Sequence, residues 1–322
     1  MIAGLSSFLL AVIAAGWLVP LSAQPYPSKP VRVIVPSSPG SGVDTIARAF
    51  SQKFSDTWGQ QFIVDNRPGG GGNIAASAVA KGAPDGYTLL VSSTALAIAP
   101  SLYRKLTYDP IKDFAPTTQI IATSHALAVH PSMPATLKEL VALAKFQPGK
   151  LNYGHAGIAT GSHLLGEMLR SSTDVDIVMV PYKGDAQAVP ALLANEVAMG
   201  FSPPTNVVQL VRAGKLRVLA MSGTTRSIAF PDVPTTAEAG FPEVQYVGWV
   251  SFFAPAGTPR DIQNKISAET ARALRMPDII EQLPRLGGEA SGTTPEEFTA
   301  KYRADIARYA KIIEKANIPP MD

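Results

Sequence analysis

The sequence predicts an α/β protein built as two lobes. Its 322 residues, of which 46% are hydrophobic, can bury two cores, and chains above about 250 to 300 residues usually divide in this way. Two loops rich in Gly, Ser and Thr support the division, because each follows a strand pattern and precedes a helical one. We therefore expect one such strand–loop–helix unit in each lobe.

The first of these units lies near the amino terminus. Val33 to Val35 predict a buried strand, and a helical pattern begins shortly after it, with Asp44 in its first turn. The first N–H groups of a helix lack intrahelical partners and lie at the positive end of the helix dipole, so the loop is suited to an anion. Taken alone, the pattern fits an ordinary strand-to-helix turn equally well. The candidate contacts are Ser37, Ser38, Pro39, Gly40, Ser41, Gly42 and Asp44.

A second unit of the same kind lies near the middle of the chain. Leu151 to Tyr153 predict a short strand, and a helix with an apolar face follows the loop. Two units that approach one small anion from opposite sides would form a clamp. A charge-assisted hydrogen bond contributes about 1.5 to 3 kcal/mol, whereas micromolar binding requires about 8 kcal/mol, so a handful of amide contacts suffices. The candidate contacts are Gly157, Ile158, Ala159, Thr160, Gly161, Ser162 and His163.

Two further groups are weaker candidates for ligand contact. Ser92, Ser93 and Thr94 follow a buried strand pattern, and ligands of α/β sheets bind beyond the carboxyl ends of the strands. Asp185 stands near a predicted helix start, where it either caps the helix or binds an amine of the ligand or a water molecule. The same alternatives apply to Asp44.

Composition excludes several other classes of site. The chain has no cysteine, which excludes disulfides, thiolate metal sites and cysteine nucleophiles. Its four histidines show no HExxH or similar spacing, so we expect no metal site and no cofactor. The net charge of +3 comes from 28 basic and 25 acidic residues without long runs, which does not indicate a nucleic-acid partner. We expect a monomer.

The amino-terminal segment has the character of an export signal. Residues Met1 to Ala23 carry no charged side chain and contain an apolar run that ends in small residues. This pattern predicts a signal peptide cleaved near Ala23 and therefore a periplasmic protein. The lack of basic residues leaves an amino-terminal membrane anchor as the alternative. After Ala23 no run approaches the roughly 18 apolar residues that a transmembrane helix requires.

The chain is expected to cross between the lobes twice. The first lobe is predicted to comprise residues 24–125 and 226–322, and the second lobe residues 126–225. Polar and Pro-rich segments, which suit a hinge, stand where the chain is expected to cross.

Two helix starts have the spacing of a capping box. Thr136 precedes Glu139 by three residues, and Thr294 precedes Glu297 by three. The helix that begins after Thr294 carries an aromatic stripe, which we expect to lie in the core. Trp249 is expected either in the core or as a lid over the ligand.

A series of motifs, in a fixed order, points to one known family. Between Tyr26 and Ile318 the sequence resembles the tripartite tricarboxylate transporter receptors, also called the Bug family. The motifs are Val35-Pro36-x-x-Pro39-Gly40-x-x-x-Asp44, Asn66-Arg67-Pro68-Gly69, Asn73-Ile74, Pro84-Asp85-Gly86-Tyr87-Thr88-Leu89, Tyr153-Gly154, Gly157-x-x-Thr160-x-x-His163-Leu164, Val180-Pro181-Tyr182-Lys183-Gly184, Pro231-Asp232-Val233-Pro234-Thr235 and Ala254-Pro255-Ala256-Gly257-Thr258-Pro259.

The resemblance implies a periplasmic solute-binding protein with the Venus flytrap fold. Its two α/β lobes would close on a small carboxylate in the cleft between them, and main-chain amides and ordered water would hold the ligand. The family's two gripping loops match Ser37 to Asp44 and Gly157 to His163. The chain departs from the family at Ser37, where an aromatic residue is common, and at Ser41 and Ala159, where glycine is common.

These observations favour a non-enzymatic receptor that captures an organic acid and presents it to membrane permease subunits. One alternative is a ligand-sensing extracytoplasmic partner of a signalling system. Another is a hydrolase that uses Ser162 with His163 or His155, although neighbouring side chains on a helix diverge. The sequence does not identify the carboxylate.

Overall fold

The structure is a computed structural model that describes residues 26–158, 160–182, 184–286 and 288–321. The predicted signal peptide and the candidate contact Ala159 lie outside these ranges. The strands are β1 (Val31–Val35), β2 (Phe62–Asn66), β3 (Thr88–Ser93), β4 (Phe114–Thr123), β5 (Ala126–Val129), β6 (Asn152–His155), β7 (Val178–Pro181), β8 (Met199–Ser202), β9 (Arg217–Met221), β10 (Gly248–Pro255) and β11 (Glu289–Ala290). The helices are α1 (Gly42–Trp58), α2 (Asn73–Ala80), α3 (Ala95–Leu102), α4 (Leu137–Phe146), α5 (Gly161–Thr173), α6 (Asp185–Leu193), α7 (Pro204–Arg212), α8 (Arg260–Ala273), α9 (Pro277–Leu286) and α10 (Pro295–Lys315).

The strands form two separate sheets. The first sheet has the order β11-β4-β10-β3-β1-β2, and the second sheet has the order β7-β6-β8-β5-β9. In the first sheet β1 pairs in parallel with β2 and β3, while β10 lies antiparallel between β3 and β4. In the second sheet β6 pairs in parallel with β7 and β8. This mixed α/β architecture confirms the predicted fold class.

The chain crosses between the sheets through two segments. Residues 124–125 join β4 to β5, and residues 222–247 join β9 to β10. The predicted lobe boundaries at 125 and 225 fall within or beside these segments but stay a prediction.

One hydrophobic cluster spans the two sheets. It includes Phe253 of β10 and Tyr309 of α10 as well as Leu127 of β5 and Leu164 of α5. Helix α10 packs against both α3 and α5. The sheets are therefore held together on this side by a shared apolar core.

The carboxyl-terminal elements settle two expectations about aromatic residues. Phe298, Tyr302 and Tyr309 of α10 are buried as predicted. Trp249 is 1% exposed, and its Nε1 donates to the buried Asp305 carboxylate at 2.9 Å. It is therefore a core residue rather than a lid.

Several elements were not predicted from the sequence. Helix α3 contains Pro100 and ends within the stretch from Pro100 to Pro116, for which the sequence predicts irregular structure. Helix α9 and strand β11 were also missed. In the residues that the structure describes, no helix combines the length and the apolar character needed to cross a membrane.

Candidate functional site

The loop between β1 and α1 leaves two helix N–H groups open. Ser41 is the N-cap of α1, and its Oγ accepts a hydrogen bond from the Asp44 N–H at 3.2 Å. Gly42 and Val43 are the first two residues of the helix, and their N–H groups make no hydrogen bond within the described part of the chain. These two donors stand at the positive end of the helix dipole, where an anion is stabilised.

Asp44 is turned inwards and holds this loop. Its side chain is buried, its Oδ2 accepts from the Gly40 N–H at 2.8 Å and from Arg48 Nε at 2.9 Å, and its Oδ1 accepts from Asn66 Nδ2 at 2.8 Å. Burial acts to raise the pKa of the Asp44 carboxyl, but the hydrogen bonds from Arg48, Gly40 and Asn66 bring the pKa below its ordinary value. The Gly40 amide is consequently engaged within the loop and is not one of its free donors.

Asn66 completes the same arrangement from the end of β2. Its Nδ2 also donates to the Ser37 carbonyl at 2.9 Å, and its Oδ1 accepts from Arg48 Nη2 at 2.9 Å. The candidate list from the sequence omitted Asn66, although the motif that begins with it follows the second strand directly. Near the start of the loop the hydroxyls of Ser37 and Ser41 are 2.6 Å apart. Ser38 and Pro39 are exposed at its tip.

The end of β3 lies beside this loop. Because β1 and β3 are parallel neighbours, their carboxyl ends meet at one edge of the first sheet. Ser92 and Thr94 are buried there, and Ser93 is half-buried. The serine and threonine hydroxyls at this strand end therefore adjoin the first loop.

The loop between β6 and α5 repeats the arrangement of the first. Thr160 is the N-cap of α5, and its Oγ1 accepts from the His163 N–H at 3.3 Å and donates to the Gly157 carbonyl at 2.7 Å. Gly161 and Ser162, the first two residues of the helix, have N–H groups without a hydrogen bond among the described residues. Ile158 has an exposed side chain in this loop. Each loop thus leaves two N–H groups without a hydrogen-bond partner, among the described residues, at the start of one helix, and we call these groups open.

The Ser162 hydroxyl serves the loop itself. Its Oγ accepts from the Ala156 N–H at 3.0 Å and lies 2.9 Å from Thr160 Oγ1. The Ser162 carbonyl accepts from the buried Tyr153 hydroxyl at 2.5 Å. These contacts give the side chain a structural role in the turn and do not resemble a nucleophile paired with a base.

Two histidines lie under the second loop. The rings of His155 and His163 are 4.6 Å apart, and His163 Nε2 lies 3.8 Å from the buried Glu167 Oε1. Burial, together with His155 and the Arg170 guanidinium, lowers the pKa of His163 to about 4. Arg170 itself pairs with Glu167 at 2.7 Å. At neutral pH the His163 imidazole is therefore uncharged, and burial also lowers the pKa of His155.

Asp185 borders the second loop from the neighbouring strand. Strand β7 pairs with β6, and the Tyr182 N–H donates to the His155 carbonyl at 2.9 Å. Asp185 is the first residue of α6, and its Oδ1 accepts from the Ser202 hydroxyl at 3.1 Å. Burial raises the pKa of the Asp185 carboxyl, and the Ser202 hydrogen bond partly opposes the shift.

A tyrosine that the sequence did not single out joins the two lobes at the site. The Tyr246 hydroxyl lies 2.8 Å from Thr94 Oγ1, beside the first loop. A Cβ built on Gly161 would lie 2.8 Å from Cε1 and Cζ of the same ring, so the start of α5 packs directly against it. One side chain therefore links the end of β3 in the first sheet to the second loop.

Comparison with known proteins identifies the family. The model of the tripartite tricarboxylate transporter family receptor matches residues 46–318. The chain belongs to this receptor family. The match includes the second loop and begins just after the first, and it confirms the resemblance that the sequence motifs indicated.

Three solved structures show the same fold as this receptor. Rpa4515 of R. palustris with adipate is 33% identical with a TM-score of 0.79, covering 92% of this chain and 100% of its own. The periplasmic binding protein BugD is 31% identical with a TM-score of 0.76, covering 92% and 100%. MatC from Rhodopseudomonas palustris with bound malate is 32% identical with a TM-score of 0.75, covering 89% and 100%. The receptor is a periplasmic-type solute-binding protein with the two-lobed fold.

Two cavities of the receptor lie away from both loops. They have volumes of about 180 and 350 Å³ and lie between α5 and α10. Met168, Glu243, Lys311 and Ile312 line both of them. They are therefore separate from the candidate contacts, which remain a prediction.

Proposed function

We propose that this receptor is exported to the periplasm, binds a small organic acid between its lobes and presents it to the permease subunits of a tripartite transporter. The observation that carries the proposal is the pair of open helix starts, Gly42–Val43 on α1 and Gly161–Ser162 on α5. Each start offers two N–H donors to a negative group. A dicarboxylate, with one charged group at each end, suits two such starts.

The chemistry of the site supports an acid with a flexible or hydroxylated chain between its carboxylates. The half-buried hydroxyls of Ser37 and Ser93 offer further hydrogen bonds, and Ile158 offers apolar surface. Among solved relatives, one structure holds adipate and another holds malate. Both are small dicarboxylates, so we take them as the first ligands to test.

The proposal gives the receptor no catalytic role. The Ser162 hydroxyl is engaged with the Ala156 amide and the Thr160 hydroxyl, and the imidazole of His163 is buried with a lowered pKa. The family is one of receptors, which also supports binding without turnover. An acid recovered after binding should be chemically unchanged.

Calorimetry of the protein purified from the periplasmic fraction tests the proposal. Adipate and malate are titrated at neutral pH, and dimethyl adipate serves as the matched control because it has the same chain without charges. We expect at least one acid to bind at micromolar concentration and the ester not to bind. Binding of the ester as tightly as the acid, or no binding across a panel of mono-, di- and tricarboxylates, would overturn it.

Two further measurements test the other parts of the proposal. Mass spectrometry of the recovered ligand should show no product, which separates a receptor from a hydrolase. Uptake of labelled ligand into cells should disappear when either the receptor or its permease is deleted. If uptake persists while a transcriptional response is lost, the receptor serves sensing rather than transport.

A further inference from the structure

Tyr246 lies where the crossing segments between the two sheets meet. Its N–H donates to the Ser222 carbonyl at 2.8 Å, and its carbonyl accepts from the Ser222 hydroxyl at 2.8 Å. Ser222 in turn donates its N–H to the His125 carbonyl at 2.8 Å and accepts the His125 N–H at 2.9 Å. One network of hydrogen bonds therefore fixes the backbone of Tyr246 to both passages of the chain between the sheets.

The side chain of Tyr246 extends from this junction towards the two candidate loops. It is 2% exposed, and its hydroxyl contacts Thr94 Oγ1 at 2.8 Å. Its ring also packs against His125 and Tyr309, with centroids 5.5 and 5.9 Å away. The ring is consequently held on several sides and cannot shift freely.

The Tyr246 ring, which contacts Thr94 in the first lobe, also contacts the start of α5 in the second lobe. A Cβ on Gly161 would approach Cε1, Cζ and the hydroxyl oxygen to between 2.8 and 2.9 Å, which real Cβ contacts essentially never do. The backbone of Gly161 does not have a positive φ, so conformational freedom does not explain the glycine. The absence of a side chain lets the helix start lie directly on the ring.

We propose that Tyr246 is a positioning residue for ligand binding, which sets the spacing between the Thr94 hydroxyl in the first lobe and the open N–H groups of α5 in the second. The lobes close on the ligand against this ring, and Gly161 allows the closest approach. This inference rests on the proposed function and adds a residue that lies outside both loops.

The protonation of Tyr246 suits the role. Burial, partly offset by the hydrogen bond with Thr94, raises the pKa of the Tyr246 phenol to about 12. The hydroxyl therefore keeps its proton at neutral pH and forms an uncharged hydrogen bond beside an anion site, where a phenolate would repel the ligand.

The first test removes the hydrogen bond from either side. Tyr246→Phe and Thr94→Val should each weaken adipate or malate binding about 2- to 12-fold, the range of one net hydrogen bond. The Tyr246 hydroxyl also hydrogen-bonds with Tyr309, so the double variant should bind no more weakly than Tyr246→Phe alone, because that change already deletes the contact with Thr94. Tyr302→Phe is the matched control, since its hydroxyl donates to the Pro110 carbonyl at 3.1 Å in the same core cluster. Its affinity should equal that of the wild type.

The second test uses the packing contact. Gly161→Ala should weaken binding more than 10-fold, because the new methyl group pushes the start of α5 away from the ring. Adding Tyr246→Leu removes the atoms that clash, so the double variant should bind more tightly than Gly161→Ala alone. Thermal unfolding of each variant records the folded fraction, so that only folded protein enters the comparison.

The outcomes separate this inference from the proposed function. If the wild type binds no carboxylate, the proposed function fails. If the wild type binds but Tyr246→Phe and Thr94→Val lose only thermal stability and keep full affinity, Tyr246 is merely structural and the inference fails. It also fails if the variant with both Tyr246→Phe and Thr94→Val loses affinity by the product of the two single effects. A third failure would be that adding Tyr246→Leu to Gly161→Ala does not tighten binding.

Discussion

The backbone N–H of Gly40 donates to the Asp44 carboxylate at 2.8 Å, so the acid at the start of α1 folds the loop back onto its own helix. Gly40 has a φ of 81°, a conformation in which glycine is favoured over other residues. The contact uses one amide of the loop and fixes the geometry of the rest. The N–H groups of Gly42, which is exposed, and of Val43, which is half-buried, have no hydrogen-bond partner among the described residues.

We predict that Asp44→Asn lowers the free energy of unfolding by about 1 to 3 kcal/mol, the usual cost of leaving buried donors unsatisfied. The amide cannot accept simultaneously from Gly40, Arg48 and Asn66 as the carboxylate does. Urea titration followed by circular dichroism measures the change. Asp232→Asn, at an exposed position, is the control and should unfold like the wild type.

Asp44→Asn should also change how steeply the free energy of unfolding falls at acidic pH. Because the pKa of Asp44 is lowered in the folded protein, its ionised form stabilises the fold above the unfolded value of 3.8. That contribution is lost as the pH falls through the folded value. The free energy of unfolding of Asp44→Asn should therefore fall less than that of the wild type as the pH is lowered. An equal fall in both proteins would contradict the lowered pKa of Asp44.

The burial of His163 predicts that the free energy of unfolding also depends on pH in a higher pH range. His163 has its pKa lowered from 6.5 to about 4, so the unfolded chain binds a proton in this window while the folded chain does not. The free energy of unfolding should fall as the pH decreases from about 6.5 to about 4. His163→Gln should reduce that slope. Equal slopes in the wild type and in His163→Gln would refute the prediction.

The parts of the fold that were predicted correctly are encoded locally. The capping boxes at Thr136 and Thr294 are both formed, because each depends on residues only three positions apart. Helix α3 was missed because most of its residues are buried, which removes amphipathic periodicity, and because Pro100 lies within it. Strand β11 has only two residues, so its pattern is too short to recognise.

The residues of the candidate site also divide into those that local sequence patterns indicate and those that depend on the three-dimensional fold. The helix starts after both loops could be predicted from the chain alone, since an N-cap acts on its own helix, although the caps Ser41 and Thr160 were given only as candidate contacts. Asn66 and Tyr246 could not, because they reach the site from elements 22 residues from Asp44 and 152 residues from Thr94. Such contacts depend on which strands become neighbours, and local patterns do not encode strand order.

Asp185→Asn decides between the two roles considered for that acid. The carboxylate accepts from Ser202 and stands at the start of α6 beside the second loop. Gly184 is the N-cap of α6 and no side chain caps this helix, so the first role for Asp185 is to match the helix dipole from the first turn. In that role its charge only repels a dianion, so the substitution should tighten adipate binding about 2- to 10-fold. Calorimetry with adipate measures the effect, and Asp232→Asn is again the control. Weaker binding would instead assign Asp185 a direct or water-mediated contact with the ligand.

Gly40→Val should separate binding from folding in the first loop. Gly40 has a φ of 81° and Gly214 a φ of 68°, and a Cβ on either would meet no atom within 4 Å, so valine introduces the same kind of backbone strain at both. Gly214 lies in the turn after α7, away from both loops. Both variants should lose about 1 to 2 kcal/mol of stability, measured by urea titration. Only Gly40→Val should also lose ligand affinity, because Gly40 lies in the loop that leads directly into the open N–H groups of α1. If calorimetry finds equal affinities in the two variants, the first loop is not part of the binding site.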